Sequence, residues 1–150
     1  MSGSARAARG GMAALPEPRA LLQRHGLRCT PGRLQIVALF AASARHLSVA
    51  EAWEELSRSG PPVHPTTVYR TLETLTAVGL THAVHGPGAT RYCVLGEPHH
   101  HVVCQDCGEV EGLAHERLRE AVGRIEELTG LRPDASGSLL VYGRCARCGD

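Results

Sequence analysis

The segment PTTVYRTLETLTAVG, residues 65–79, decides how the first half of this 150-residue chain folds. It predicts a helix over Thr67–Val78 that follows a proline and stops at a glycine, since proline suits a helix start and glycine a helix end. Its apolar side chains recur at helical spacing and predict one buried stripe. That stripe consists of Val68, Leu72 and Leu75.

Three shorter helices are predicted upstream of this segment. The first fits Pro18–Arg24. The second opens at Thr30-Pro31, an N-cap followed by proline at the first helical position. The third, Val49–Ser57, follows Ser48, which begins a capping box.

A β-hairpin is predicted downstream, with Leu80–Val84 and Thr90–Val94 flanking a glycine- and proline-rich turn. Short helices followed by a hairpin are the layout of a winged helix-turn-helix, in which the early exposed residues of the last helix face the DNA major groove. Those residues are Thr66, Thr67, Tyr69 and Arg70. Helical periodicity alone leaves a second interpretation open, a solvated helix face without a partner.

Charge is unevenly distributed along the chain, although the net charge is only +1. Residues 1–80 hold nine arginines against five acidic residues, whereas residues 81–150 hold seven arginines against ten acidic residues. A basic first half is consistent with nucleic acid contact, and the second half is acidic and rich in metal donors.

Four cysteines form two pairs near the end of the chain, Cys104-x-x-Cys107 and Cys145-x-x-Cys148. Such spacing predicts a tetrahedral structural zinc ion bound by four thiolates. Two disulfides or a thiol switch remain the alternatives. The arginine-containing residues 1–18 lack the apolar core of a signal peptide, so we expect a cytoplasmic protein with reduced thiols.

A zinc hydrolase or deaminase is a poor match to the same cysteines. The deaminase signature needs His-x-Glu upstream and proline before Cys-x-x-Cys. Here Val103 precedes Cys104, and no His-x-Glu lies upstream. Four thiolates also leave no open coordination position for water. We therefore expect a protein that is not an enzyme.

Three separated motifs resemble the ferric-uptake-regulator (Fur) superfamily, in the right order and over residues 17 to 150. They are TTVYRTL at 66–72 with the GL ending at 79–80, HHHVVCQDCG at 99–108 and YGRCARC at 142–148. The resemblance implies an α+β fold: an N-terminal winged helix-turn-helix domain followed by a small α/β dimerisation domain with a four-cysteine zinc site. It also implies a homodimeric, metal-dependent repressor that binds double-stranded operator DNA with an inverted repeat.

A second, regulatory metal site is expected at the hinge between the two domains, from His82, Cys93, His99 and His101. His99 and His101 lie two apart on a predicted strand and point to one face. One cysteine and three histidines favour zinc over ferrous iron. The set resembles the zinc-uptake-regulator (Zur) branch, which implies control of zinc uptake and homeostasis genes. Regulators of the same superfamily that sense iron, nickel or peroxide are the alternative, followed by a non-regulatory zinc-binding protein.

Two details depart from the superfamily pattern. An aspartate stands in place of His82 in several members of the Zur branch, so an exposed wing histidine is the other interpretation of that residue. A third metal site used by many members is also incomplete, because its positions match Pro98, Arg119 and Gly137. His100 could then act alone or with His85 or His115. The remaining histidines, His25, His46 and His64, are expected at the surface or facing DNA.

The expected organisation has four parts. Residues 1–16 form a disordered arm, 17–95 the winged-helix DNA-binding domain, 96–101 the hinge and 102–150 the dimerisation and metal-binding domain. Each chain is expected to hold one structural and one regulatory Zn²⁺.

Overall fold

The computed structural model of the chain describes residues 16–43, 45–94, 99–132 and 139–149. The expected N-terminal arm therefore lies outside the described residues, apart from residue 16. Within the described ranges, no helix has both the length and the apolar character required to cross a membrane.

Four helices build most of the first half. They are α1 (Pro18–Arg24), α2 (Pro31–Ala42), α3 (Val49–Ser59) and α4 (Pro65–Ala77). The predicted caps are confirmed: Thr30 Oγ1 accepts from the Arg33 N–H at 3.3 Å, and Ser48 forms a reciprocal capping box with Glu51.

Helix α4 begins two residues earlier than predicted. The side chain of His64 occupies the N-cap position, and its Nδ1 accepts a hydrogen bond from the Thr66 N–H at 3.2 Å. Proline at the first helical position then has no N–H to satisfy. Histidine is not among the usual N-cap residues, which is why the sequence did not indicate this start.

A three-stranded antiparallel sheet completes the first half. Its strands are β1 (Leu47–Ser48), β2 (Thr81–Val84) and β3 (Arg91–Val94), in the order β1-β3-β2. The predicted hairpin pairs β2 with β3, and His82 lies directly opposite Cys93. The helices and this sheet enclose one core with fully buried side chains from α1, α2 and α4. Its members include Leu22, Ile36, Val37, Val68, Leu72 and Leu75.

The second half is a separate sheet with one long helix. It contains β4 (His99–Cys104), β5 (Val110–Ala114), α5 (His115–Thr129) and β6 (Leu140–Gly143). The sheet order is β5-β4-β6, with β5 antiparallel and β6 parallel to the central strand. The architecture is thus a winged helix-turn-helix followed by a small α/β unit, as the fold-class prediction stated.

Candidate metal centres

The four predicted zinc-binding cysteines converge at one end of the second sheet. The pair Cys104 and Cys107 lies at the end of β4 and in the turn that follows, and the pair Cys145 and Cys148 follows β6. Because β4 and β6 are parallel neighbours, their carboxyl ends bring the two pairs together. All four sulfur atoms lie within 4.8 Å of one another. We call this group the cysteine cluster.

The geometry of the cysteine cluster suits a tetrahedral ion. Sulfur atoms around zinc at a Zn–S distance of about 2.3 Å lie about 3.8 Å apart, and Cys107 Sγ lies 3.8 Å from Cys145 Sγ. All cysteines in the described residues are free thiols. Backbone N–H groups of Cys107 and Cys145 lower the pKa of the Cys104 thiol to about 6, which favours the thiolate form that binds metal.

A second group of donors joins the two halves of the molecule. It contains four histidines and one cysteine, with no carboxylate among the described residues, and its donor atoms lie within 4.8 Å of one another. Its members are His46, His82, Cys93, His99 and His101. We call this group the mixed cluster. All four residues predicted for the regulatory site are in it.

Each half of the chain contributes to the mixed cluster through a strand. The hairpin supplies His82 from β2 and Cys93 from β3, while β4 supplies His99 and His101 from one face. His82 Nε2 lies 2.7 Å from His101 Nε2 and 2.9 Å from Cys93 Sγ, and Cys93 Sγ lies 3.4 Å from His99 Nε2. Donor atoms this close converge on one point, as a small cation requires.

The prediction that His46 lies at the surface or faces DNA is wrong, because this residue belongs to the mixed cluster. Its side chain is buried at 7% exposure, immediately before β1, and its ring packs edge-on against His101 with centroids 4.8 Å apart. Its Nε2 is the one buried side-chain nitrogen or oxygen in the described ranges that has no hydrogen-bond partner. A buried polar atom without a partner is costly, and a metal ion in the cluster would satisfy it.

Arg91 holds the loop that carries His46 through the backbone of that residue. Its guanidinium donates to the His46 carbonyl at 3.3 Å and to the Glu51 carboxylate at 2.8 Å. Glu51 in turn caps α3 by accepting from the Ser48 N–H at 2.9 Å. The loop that carries His46 is therefore tied to β3, next to Cys93, and to the start of α3.

Burial sets the protonation states of the mixed cluster without metal. Desolvation, with a smaller repulsion from neighbouring histidines, lowers the pKa of His46 and of His82 to about 4 and the pKa of His101 to about 3. Desolvation raises the pKa of the Cys93 thiol to about 12. At neutral pH these three imidazoles are therefore neutral and able to bind metal, whereas Cys93 must lose a proton first.

The other histidines lie elsewhere. His100 points away from the mixed cluster: its Nε2 lies 3.1 Å from His115 Nδ1, and its Nδ1 accepts from the Leu139 N–H at 2.8 Å. His85 contacts the Thr90 hydroxyl at 3.1 Å. Of the third-site positions, Pro98 and Gly137 lie outside the described residues. Within the described part of the chain, no third metal-binding side chain joins the pair formed by His100 and His115.

The predicted DNA-facing residues of α4 are all exposed. Thr66, Thr67, Tyr69 and Arg70 lie on the side opposite the buried stripe, and Tyr69 is 51% exposed. Glu73 continues the same face one turn later and accepts a hydrogen bond from the Tyr92 hydroxyl at 3.1 Å. Tyr92 is the strand neighbour of Cys93, so this bond connects the mixed cluster's strand to the exposed helix.

Comparison with known proteins agrees with this arrangement. The model of the ferric uptake regulator (Fur) family matches residues 24–135. The chain is a member of the Fur family. Family members are metal-responsive transcription regulators that bind DNA as dimers, and they are not enzymes. Fur structures contain an N-terminal DNA-binding domain and a C-terminal dimerisation domain, which confirms the predicted fold class.

Individual relatives carry several names within the Fur family. The peroxide-responsive repressor PerR of Staphylococcus aureus strain Mu50 is 26% identical over 138 residues, which cover 91% of this chain and 92% of the relative. The Fur structure of Vibrio cholerae has a TM-score of 0.69 and 27% identity, covering 85% of this chain and 98% of that one. A zinc uptake regulator complexed with zinc and DNA shares the fold, with a TM-score of 0.53, 23% identity and coverages of 86% and 88%. The family model establishes the family, and none of these relatives assigns the chain to the zinc-responsive branch.

Proposed function

We propose that this Fur-family regulator is a zinc-responsive repressor, which binds operator DNA as a homodimer when zinc occupies the mixed cluster. The supporting observation is the donor set itself, four imidazoles and one thiol with no carboxylate among the described residues. Imidazole and thiolate together suit zinc, while manganese prefers oxygen ligands and non-haem ferrous sites pair histidines with a carboxylate. Its proposed targets are zinc uptake and homeostasis genes.

His82, Cys93, His99 and His101 are the proposed regulatory ligands, and His46 is a fifth donor beside them. His82 and Cys93 lie on the hairpin of the winged helix, and His99 and His101 on the first strand of the second sheet. An ion held by both pairs would fix the orientation of one domain on the other. Domain boundaries at 17–95, 96–101 and 102–150 are part of this proposal.

The cysteine cluster is proposed to hold a second, structural zinc. Four thiolates close the coordination sphere, so this site supplies stability and no open position for chemistry. A cytoplasmic location is also proposed, because the four thiols must stay reduced to bind metal.

Helix α4 is the proposed reader of the operator. Arg70 can donate two hydrogen bonds to guanine, and the aromatic ring of Tyr69 can pack on a thymine methyl group. In a symmetric dimer two such helices face DNA across the two-fold axis, so the operator should be an inverted repeat.

Metal identity is tested by DNA selection under separate metal conditions. Random duplexes are selected on purified protein in parallel pools buffered with Zn²⁺, Fe²⁺ under anaerobic conditions, Mn²⁺, Ni²⁺ or a chelator. Nitrogen and sulfur sites rank zinc above manganese and ferrous iron on affinity alone. The deciding measurement is therefore DNA affinity at equal occupancy of the mixed cluster.

We expect an inverted repeat to be enriched in the zinc pool and full DNA affinity at one zinc per mixed cluster. Full affinity with another metal at equal occupancy, and weaker affinity with zinc, would contradict the proposal. Peroxide is added to the Fe²⁺ arm because peroxide-responsive repressors are among the relatives. Loss of DNA binding in that arm, together with failure of the zinc arm, would support peroxide sensing instead.

A further inference from the structure

The hairpin turn contacts the second sheet at a place separate from the mixed cluster. The backbone at Gly86 runs so close to β4 that a β-carbon there would lie 2.8 Å from Val103 Cγ1. A β-carbon at Gly108 would lie 2.5 Å from the Pro87 carbonyl oxygen. The Tyr142 hydroxyl, on β6, donates a hydrogen bond to the His85 carbonyl at 3.2 Å. We call these three approaches the tip contact.

Both glycines of the tip contact, Gly86 and Gly108, are required for steric reasons. Val103 is fully buried and its β-branched side chain has few alternative rotamers, so it cannot move aside for a side chain at position 86. Gly108 faces backbone, which cannot yield, and it has a φ of +73° that side-chain-bearing residues rarely adopt. The close approach is therefore specific to these residues.

We propose that the tip contact is a second anchor which, together with metal in the mixed cluster, fixes a single orientation between the two domains. Gly86 and Tyr142 are then positioning residues for DNA binding. This inference rests on the proposed metal-dependent DNA binding. One metal centre acts as a pivot about which the domains still rotate. His85 lies three residues beyond His82, about 10 Å at the rise of an extended strand, and a second contact at that distance removes the rotation.

The tip contact alone is not expected to hold the two domains together without metal, since a shallow cleft of about 410 Å³ opens beside it. The cleft is lined by His85, Gly86, Pro87, Gln105 and Tyr142. The Gly108 side of the tip contact belongs to the cysteine cluster, because the Gly108 N–H donates to the Cys104 carbonyl at 2.9 Å in the turn that carries Cys107. The tip contact thus connects the cysteine cluster to the DNA-binding domain.

Gly86→Ala and Tyr142→Phe test the proposal in the full-length dimer. Gly123→Ala in α5 is the matched control, since a β-carbon there meets nothing within 4 Å. For each variant the measurements are zinc content, the affinity of the mixed cluster for zinc, small-angle X-ray scattering of the zinc-loaded protein and affinity for the selected operator. Val103→Ala, alone and combined with Gly86→Ala, tests steric rescue.

We expect Gly86→Ala to lower operator affinity about tenfold, because a clash in a packed contact is costly, and Tyr142→Phe to lower it about threefold by loss of one hydrogen bond. Both variants should keep two zinc ions per chain and scatter as a broader range of shapes than wild type. Val103→Ala should restore part of the loss in the double variant.

Unchanged scattering and unchanged operator affinity in both Gly86→Ala and Tyr142→Phe would overturn the anchor. If Gly86→Ala does not fold, Tyr142→Phe decides alone. Failure of the proposed function is a different result: wild-type protein would then show no zinc-dependent DNA binding at all. In that case the scattering of the variants still reports whether the tip contact orders the domains.

Discussion

His46 gives the mixed cluster one donor more than a four-coordinate zinc ion uses. Zinc sites in proteins are mostly tetrahedral, with expansion to five ligands in some cases. The cluster offers five donor atoms, all within 4.8 Å of one another. Nε2 of His46 is buried and, within the described residues, has no hydrogen-bond partner. It therefore gains more from a metal contact than a nitrogen that would have to give up a hydrogen bond.

His46→Gln is expected to weaken zinc binding at the mixed cluster by roughly tenfold, within the range seen for loss of a supporting group. Glutamine keeps a polar side chain but supplies no imidazole nitrogen. Cys93→Ser should weaken binding more, because it removes the only thiolate of the cluster. Competition with a chromophoric chelator measures both affinities. Wild-type affinity in His46→Gln would reduce His46 to a buried neighbour of the site.

Cys93 is expected to contribute one proton to the pH dependence of zinc binding. Burial lowers the pKa of His46 and of His82 to about 4 and that of His101 to about 3, so at pH 6 to 8 these three side chains are already neutral and release nothing on binding metal. Cys93, with a pKa of about 12, is protonated in this range and must release its proton. That proton alone should make zinc affinity rise about tenfold per pH unit.

A histidine with the ordinary pKa of about 6.5 would also release a proton on binding metal below that pH. Burial removes this contribution from His46, His82 and His101. Isothermal titration in buffers of different ionisation enthalpy counts the protons released. In Cys93→Ser the slope of affinity against pH should fall by one proton per zinc ion. An unchanged slope in that variant would show that Cys93 is not the source of the released proton.

At the scale of elements, local spacing predicted most helices and their caps, apart from the His64 cap of α4, and it predicted the two Cys-x-x-Cys turns. That the two turns meet depends on the parallel pairing of β4 with β6, and the regulatory ligands from separate strands were predicted from the resemblance to the superfamily. His46 was missed because its place depends on the pairing of β1 with β3, where Leu47 lies opposite Tyr92, 45 residues along the chain. A histidine two residues before Ser48 and its capping box was the available signal, since a capped helix fixes the loop that precedes it.

Helix α4 is where metal and DNA are expected to communicate. Cys93 lies in β3 beside Tyr92, whose hydroxyl holds Glu73 on the exposed face of α4. Arg70 is on the same face, one turn earlier. We expect a change in the position of β3 to reach, through this hydrogen bond, the residues of α4 that are proposed to face the operator.

Arg70→Ala is expected to cost about 1–3 kcal/mol of operator affinity, if the guanidinium makes a bidentate contact with guanine. Arg58→Ala is the control, because it removes the same charge from an exposed arginine at the end of α3. Fluorescence anisotropy with the selected operator and with a duplex altered at one guanine gives both affinity and specificity. An equal loss in both variants would assign Arg70 to non-specific phosphate attraction.

The stability of the second sheet is expected to depend on the cysteine cluster. Structural zinc contributes on the order of 10–16 kcal/mol of apparent binding free energy in small motifs, and that energy becomes folding energy. Cys145→Ser should therefore lose the structural zinc and destabilise the second sheet, giving a monomeric or unfolded protein. Cys29→Ser is the control, since that half-buried thiol lies outside both clusters. Metal analysis with sedimentation velocity measures the effect, and a fully loaded, stable Cys145→Ser dimer would contradict it.

The two binding events must be linked in both directions if zinc orients the domains for DNA. Coupling free energies of about 1–3 kcal/mol are usual, so operator DNA should tighten zinc binding at the mixed cluster by the same factor by which zinc tightens DNA binding.

Cys93→Ser and His101→Ala should remain folded and dimeric, retain the structural zinc and lose the response to added zinc, because each removes a donor from one side of the cluster. Zinc titrations with and without operator measure the coupling. If zinc and DNA tighten each other's binding by unequal factors, a further equilibrium such as dimer dissociation contributes. Full repression by both variants in zinc-replete cells would place the sensor outside the mixed cluster.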